Sequence, residues 1–242
     1  MKRRAPDIIR SANDRRINPA LIPREQFVVV NGLRAFAALI IRFLLRVYHR
    51  FEIVGQEQLR TNRSLVIVAN HSSHLDTLCL LSALRLRSLH HAFPAAAADY
   101  FYQNPLRLFV AAVFNALPFG RKLHARRSLS LCADVISQPG NILILFPEGT
   151  RSTTGRIQEF KHGVGALVAG RDVTVVPCCV KGTFEAWPKG QRLPRPKKVL
   201  LIVGAPRTYA GFRPDKSNIS AIAAELRLAV EQLGGNNGSN GA

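Results

Sequence analysis

Acidic residues are scarce. Only 15 Asp and Glu stand against 34 Lys and Arg in 242 residues, a formal net charge of +19. An excess of that size asks for an anionic partner, either a nucleic-acid backbone or a lipid surface. Long apolar runs are missing as well. No uncharged stretch exceeds 13 residues, whereas a membrane-spanning helix needs about 20 mainly apolar residues. The four cysteines lack CxxC spacing. Cys79 and Cys132 fall in helix-like apolar stretches, and adjacent Cys178 and Cys179 point to opposite faces of a strand. They read as small buried hydrophobes, with no disulfide framework. The start, Met1-Lys2-Arg3-Arg4-Ala5-Pro6-Asp7, lacks the apolar centre of a signal peptide, so the expectation is a cytoplasmic protein. No internal repeat is visible.

What is present is enough for one α/β unit. Hydrophobic residues make up 47% of the chain, sufficient for a sizeable core. Short β-branched runs at 65–69, 141–146, 173–176 and 199–203 predict buried strands. Apolar residues at helical spacing predict helices over 75–86 and 217–233. The closing residues 234–242 are Gly- and Asn-rich and can bury nothing, which predicts a disordered tail. The organisation expected is a basic segment 1–26, a helix 27–51, a domain 52–233 and that tail.

Two segments carry chemistry. In Asn70-His71-Ser72-Ser73-His74-Leu75-Asp76, a histidine follows a strand and an aspartate enters the first turn of a helix. A carboxylate there can accept one imidazole N–H and leave the other nitrogen as a base. The plainer reading makes Ser73 to Asp76 a capping box, which would not exclude that role. In Phe146-Pro147-Glu148-Gly149-Thr150-Arg151-Ser152, a second strand runs into a glycine turn. Gly149 allows close backbone approach, and Arg151 offers a planar fork to a phosphate. The plainer reading is an ordinary turn with a surface arginine. Taking His71, His74 and Asp76 as metal ligands lacks further ligands at suitable spacing, so no metal is expected.

Residues 27–51 form an amphipathic pattern. Leu33, Ala37, Ile40, Leu44 and Val47 share one helical face, while Arg34, Arg42, Arg46 and Arg50 form an opposing stripe. That pattern suits an anionic membrane interface. The apolar stretch 108–119 reads as a lipid-dipping segment, an acyl pocket or core. Nucleic acid is not expected as a partner, because no helix-turn-helix, zinc-finger or stacking-aromatic pattern accompanies the charge.

The His71–Asp76 pair and the Phe146–Ser152 run resemble the first and third motifs of the glycerolipid acyltransferases typified by 1-acylglycerol-3-phosphate acyltransferase. Leu117-Pro118-Phe119-Gly120-Arg121 is similar to the second motif, which more often has a polar residue where Gly120 stands. Val175-Val176-Pro177-Cys178-Cys179 and Phe160-Lys161-His162-Gly163 are similar to two further segments, and the resemblance covers roughly residues 50–210. It implies a single acyltransferase domain with a mixed central sheet flanked by helices, preceded by the amphipathic membrane-interface helix. It implies His71 and Asp76 as catalytic, and Arg121, Glu148, Gly149, Thr150, Arg151, Lys161 and Pro177 as substrate-binding. The substrates implied are a lysophospholipid and an acyl thioester, on coenzyme A or acyl carrier protein, with no cofactor. The acceptor expected is 1-acylglycerol-3-phosphate; another lysolipid, for ornithine-lipid synthesis or phospholipid remodelling, is the alternative. The place expected is the cytoplasmic face of the inner membrane, held peripherally or monotopically.

Overall fold

The computed structural model describes residues 24–61, 63–97, 114–119 and 125–235. Most of the basic N-terminal segment, the first half of the stretch 108–119, Arg121 and the tail from residue 236 lie outside them. In chain order the elements are α1 (Arg24–Tyr48), β1 (Glu52–Val54), β2 (Leu65–Ala69), α2 (Leu75–Ala83), β3 (Ala92–Ala97) and β4 (Leu117–Phe119). There follow α3 (Ala125–Ser137), β5 (Ile142–Leu145), α4 (Gly163–Val168), β6 (Thr174–Lys181), α5 (Thr183–Ala186), β7 (Leu200–Val203) and α6 (Lys216–Gly235).

The strands form one sheet in the order β1-β7-β6-β2-β5-β3-β4. Every pairing is parallel except β6 with β7, so the sheet is mixed. All five residues of β2 are buried, since helices cover both faces of the sheet. Leu65, Ile67 and Ala69 join one core with Ile144, Val176 and residues of α1 and α2. Val66 and Val68 join the other with Leu143, Val175 and residues of α3, α4 and α6. Alternation along the strands thus feeds two cores, one on each side.

Several boundaries differ from those read in the sequence, and the helix read at 27–51 spans Arg24–Tyr48. Helix α2 stops at Ala83, not Leu86, because its last carbonyls are taken by side chains from elsewhere. Gln56 Nε2 donates to Ala83 O at 2.7 Å, and Arg42 donates to Ser82 O at 3.1 Å and to Leu84 O. Strand β6 runs on to Lys181, five residues beyond the run read at 173–176. Helix α6 continues through Gly235, where Lys181 Nζ donates to Gly234 O at 2.8 Å and holds the last turn.

The arginine stripe of α1 also needs correction. Arg34 is buried and Arg42 half-buried, while Arg46 and Arg50 stay exposed. The buried Arg34 guanidinium donates to Asn31 Oδ1 at 3.1 Å and Asn115 Oδ1 at 2.8 Å, and Arg42 caps the end of α2. Burial lowers the pKa of both guanidinium groups, and their hydrogen bonds compensate for lost water. With Arg34, Ala38 and Leu45 turned inward, the outward face is apolar: Phe36 is 62% exposed, Phe43 65% and Val47 63%. Among the described residues no helix is long and apolar enough to cross a membrane.

Candidate active site

Parallel pairing brings two distant segments together. Val68 and Leu145 are register partners in β2 and β5, so the loops leaving the two strands emerge side by side. The carboxyl ends of parallel strands are where open α/β sheets build their sites. One loop carries His71 and the other Phe146 to Ser152. The His71 ring stacks on Phe146, with centroids 4.1 Å apart and planes 19° apart.

Asp76 is fully buried in the first turn of α2. Its Oδ2 lies 3.0 Å from His71 Nδ1 and accepts the backbone N–H groups of Ser72 at 2.7 Å and Ser73 at 2.8 Å. One oxygen therefore both ties down the loop and orients the imidazole, while the capping box is only half formed, since the Ser73 hydroxyl donates to Trp187 O and does not accept Asp76 N–H. The other Asp76 oxygen, Oδ1, is buried without a hydrogen-bond partner among the described residues. With the Nδ1 proton directed at the carboxylate, Nε2 keeps its lone pair. The imidazole is 19% exposed, and Nε2 has no hydrogen bond among the described residues.

Glu148 ties the second loop to the first. Its Oε1 accepts His71 N–H at 2.7 Å, and its Oε2 accepts Gln158 N–H at 3.1 Å. In return Ser152 N–H donates to His71 O at 2.7 Å. The histidine is thus gripped through its main chain on both sides while its ring stays available. Glu148 is only 3% exposed. Burial pushes its carboxyl up to about 7 from 4.5, reinforced by Asp76 and opposed by the two N–H donors. Because the folded value lies above the unfolded one, the folded protein holds the extra proton between them. The stability contributed by protonation is full below about pH 4.5 and is lost as pH rises through about 7. Urea midpoints of wild type should therefore fall relative to Glu148→Gln over that window. Parallel midpoints would show that the carboxyl titrates normally.

Gly149 has φ +73°, a conformation natural to glycine, and a Cβ there would lie 2.5 Å from Lys161 Nζ. The Lys161 ammonium consequently sits over the turn, and the main-chain N–H of Lys161 donates to Pro147 O at 3.0 Å. Thr150 and Arg151, both half-buried, continue the turn. His71, Asp76, Glu148, Gly149, Thr150, Arg151 and Lys161 are therefore brought together. Pro177 is not brought to them. It is buried in β6 opposite Val68, on the face shared with Val175 and Cys179, and its carbonyl accepts Gly204 N–H at 2.8 Å. Arg121 lies outside the described residues.

Sequence reasoning missed several supports. Asn70 extends the ladder with its side chain, donating to Val180 O at 2.9 Å and accepting Val180 N–H at 2.8 Å. Ser73 Oγ donates to Trp187 O at 2.7 Å, and Ser72 Oγ lies 3.1 Å from Thr183 Oγ1. The available signal was a row of small polar residues following a strand of wholly buried ones. Among the described residues no group of three or more His, Cys, Asp or Glu could hold a metal ion. All four cysteines are free and buried, and burial pushes Cys132 up to about 12 and Cys179 to about 11.

The sequence profile described as Acyltransferase matches residues 50–181, more than half the chain. The chain belongs to the acyltransferase family. Relatives of this acyltransferase-family chain include the 1-acyl-sn-glycerol-3-phosphate acyltransferase of Limnanthes alba, 30% identical over 165 residues, or 68% of this chain and 57% of that one. The Limnanthes douglasii protein of the same name is 29% identical over 195 residues, 78% of this chain and 68% of its own. The chain thus spans somewhat over half the length of the first relative. The fold is that of the 1-acyl-sn-glycerophosphate acyltransferase PlsC from Thermotoga maritima. The TM-score is 0.65 at 22% identity, over 92% of this acyltransferase-family chain and 87% of that one.

Proposed function

We propose that the protein transfers a fatty acyl group from a thioester to the hydroxyl of a lysophospholipid, with 1-acylglycerol-3-phosphate as acceptor and phosphatidic acid as product. The observation that carries this reading is the His71–Asp76 hydrogen bond, which leaves Nε2 open beside a cationic glycine turn. Nε2 takes the hydroxyl proton as the oxygen attacks the thioester carbonyl. The tetrahedral adduct collapses, the carbon–sulfur bond breaks, and the imidazolium returns its proton to the departing thiolate. Asp76 orients the ring throughout. The thioester is already activated, so placing and deprotonating the hydroxyl is the main task. No cofactor enters this scheme.

The acceptor phosphate is assigned to Arg151 with Lys161, and Arg121 is assigned to the same group. Arg151→Ala is expected to raise KM for the lysolipid about tenfold or more, since a charge-assisted fork is lost, with donor KM little changed. Arg151→Lys should recover only part of it, as a point charge lacks the fork. A change confined to donor KM would move the phosphate to the coenzyme A side. The donor itself is decided by incubating the purified protein with labelled acyl-coenzyme A or acyl carrier protein against a panel of lysolipids. Failure with every pair would sink the reading. The outward apolar face of α1 supports work at a bilayer, on the cytoplasmic face of the cell membrane, with the protein held peripherally or monotopically.

A further inference from the structure

With Arg34 buried and Arg42 half-buried against the end of α2, only Arg46 and Arg50 of the helical arginine stripe stay exposed, and a denser cationic surface lies elsewhere in the chain. The loop between α5 and β7 supplies five basic residues, Lys189, Arg192, Arg195, Lys197 and Lys198, and no acidic one. All five are exposed. Lys198 is paired with Glu52 at 2.9 Å, while the other four have no ion-pair partner among the described residues. In their midst Leu193 is 75% exposed, more than any other large apolar side chain among the described residues.

The loop is anchored. Trp187 Nε1 donates to Gln191 O at 2.9 Å, and Arg195 N–H donates to Ala186 O at 2.7 Å. It is also joined to the end of α1: Tyr48 OH donates to Pro194 O at 3.1 Å, and Val199 N–H donates to His49 O at 3.0 Å. The cationic loop therefore adjoins the helix whose outward face is Phe36, Phe43 and Val47. At its other end Trp187 O accepts the Ser73 hydroxyl of the His71 loop.

We propose that residues 188–198 form a second membrane contact, in which Lys189, Arg192, Arg195 and Lys197 bind anionic phospholipid headgroups and Leu193 inserts beside α1. This rests on the reading of an enzyme working at a bilayer and names where the charge recognition resides. Charge complementarity selects an anionic surface. The lone apolar tip, adjoining an apolar helix, selects a bilayer over an acidic protein.

The experiment compares wild type with K189E/R192E/R195E/K197E and with Leu193→Asp in sedimentation with vesicles of phosphatidylcholine alone or with phosphatidylglycerol. Near the surface each basic residue contributes about 1 kcal/mol, so the quadruple variant should lose at least 100-fold in affinity for the anionic vesicles. That loss should shrink as salt rises, and binding to neutral vesicles should be unchanged. Leu193→Asp should weaken binding to both vesicle types. Activity on a short-chain, monomeric lysolipid should match wild type, which also shows that the variants fold. Unchanged affinity for anionic vesicles would overturn the proposal. So would unchanged vesicle binding with loss of activity only when the donor is an acyl carrier protein thioester, since the loop would then dock the donor. Wild type that bound no vesicle at all would instead refute the bilayer reading beneath it.

Discussion

His71→Ala should lower acyl transfer by about 10²–10⁴-fold, the usual contribution of a positioned general base. The fold should survive, because the contacts that tie this residue to Glu148 and Ser152 are made by its main chain and persist in alanine. Thiol release from the acyl donor, together with an unchanged urea midpoint, checks both halves. Asp76→Asn should also cost rate, since the amide keeps an acceptor for Ser72 and Ser73 but loses the charge that stabilises the imidazolium. His74→Ala should be mild, as that ring lies against Trp187, with centroids 5.8 Å apart, while His71 holds Asp76 Oδ2. Turnover near wild type in His71→Ala would end the mechanism.

Glu148→Gln should lower kcat by about 10–100-fold while changing the KM for either substrate much less. Both carboxylate oxygens are occupied by backbone N–H groups, one of them from His71 itself. A glutamine offers one acceptor and one NH₂, so either the His71 or the Gln158 N–H must face another donor. A buried unmet N–H costs about 1–3 kcal/mol, which here falls on the position of the base. A variant raising acceptor KM with kcat intact would show that this carboxylate touches substrate after all.

Legibility followed burial. The runs that became β2 and β5 are continuous and β-branched or leucine-rich, and burial on both faces leaves few other ways to place them. β3 was invisible. Ala-Phe-Pro-Ala-Ala-Ala has little strand preference, and Pro94 stands where its pairing passes from β5 to β4. The pairing of His71 with Asp76 was readable from spacing, because a short loop joins His71 directly to the first turn of α2, where Asp76 sits. The grip of Glu148 on the His71 main chain was not, since it joins residues on different strands and depends on register. The α1 arginines misled for a related reason. Helical periodicity separates two faces but does not say which one meets the protein, and here unmet carbonyls at the end of α2 drew Arg42 inward.

One amide of β6 has an unusual keeper. The Val180 N–H is held by the side-chain oxygen of Asn70, where a neighbouring strand would normally offer a carbonyl. A carbonyl releases its proton only when strands part, but a side chain lets go by turning about its own bonds. Deuterium uptake at Val180 therefore keeps time for the segment leading to His71 and not for the sheet. Followed by mass spectrometry, that one amide would report how often the approach to the base loosens in the resting protein, and whether a bound lysolipid stills it.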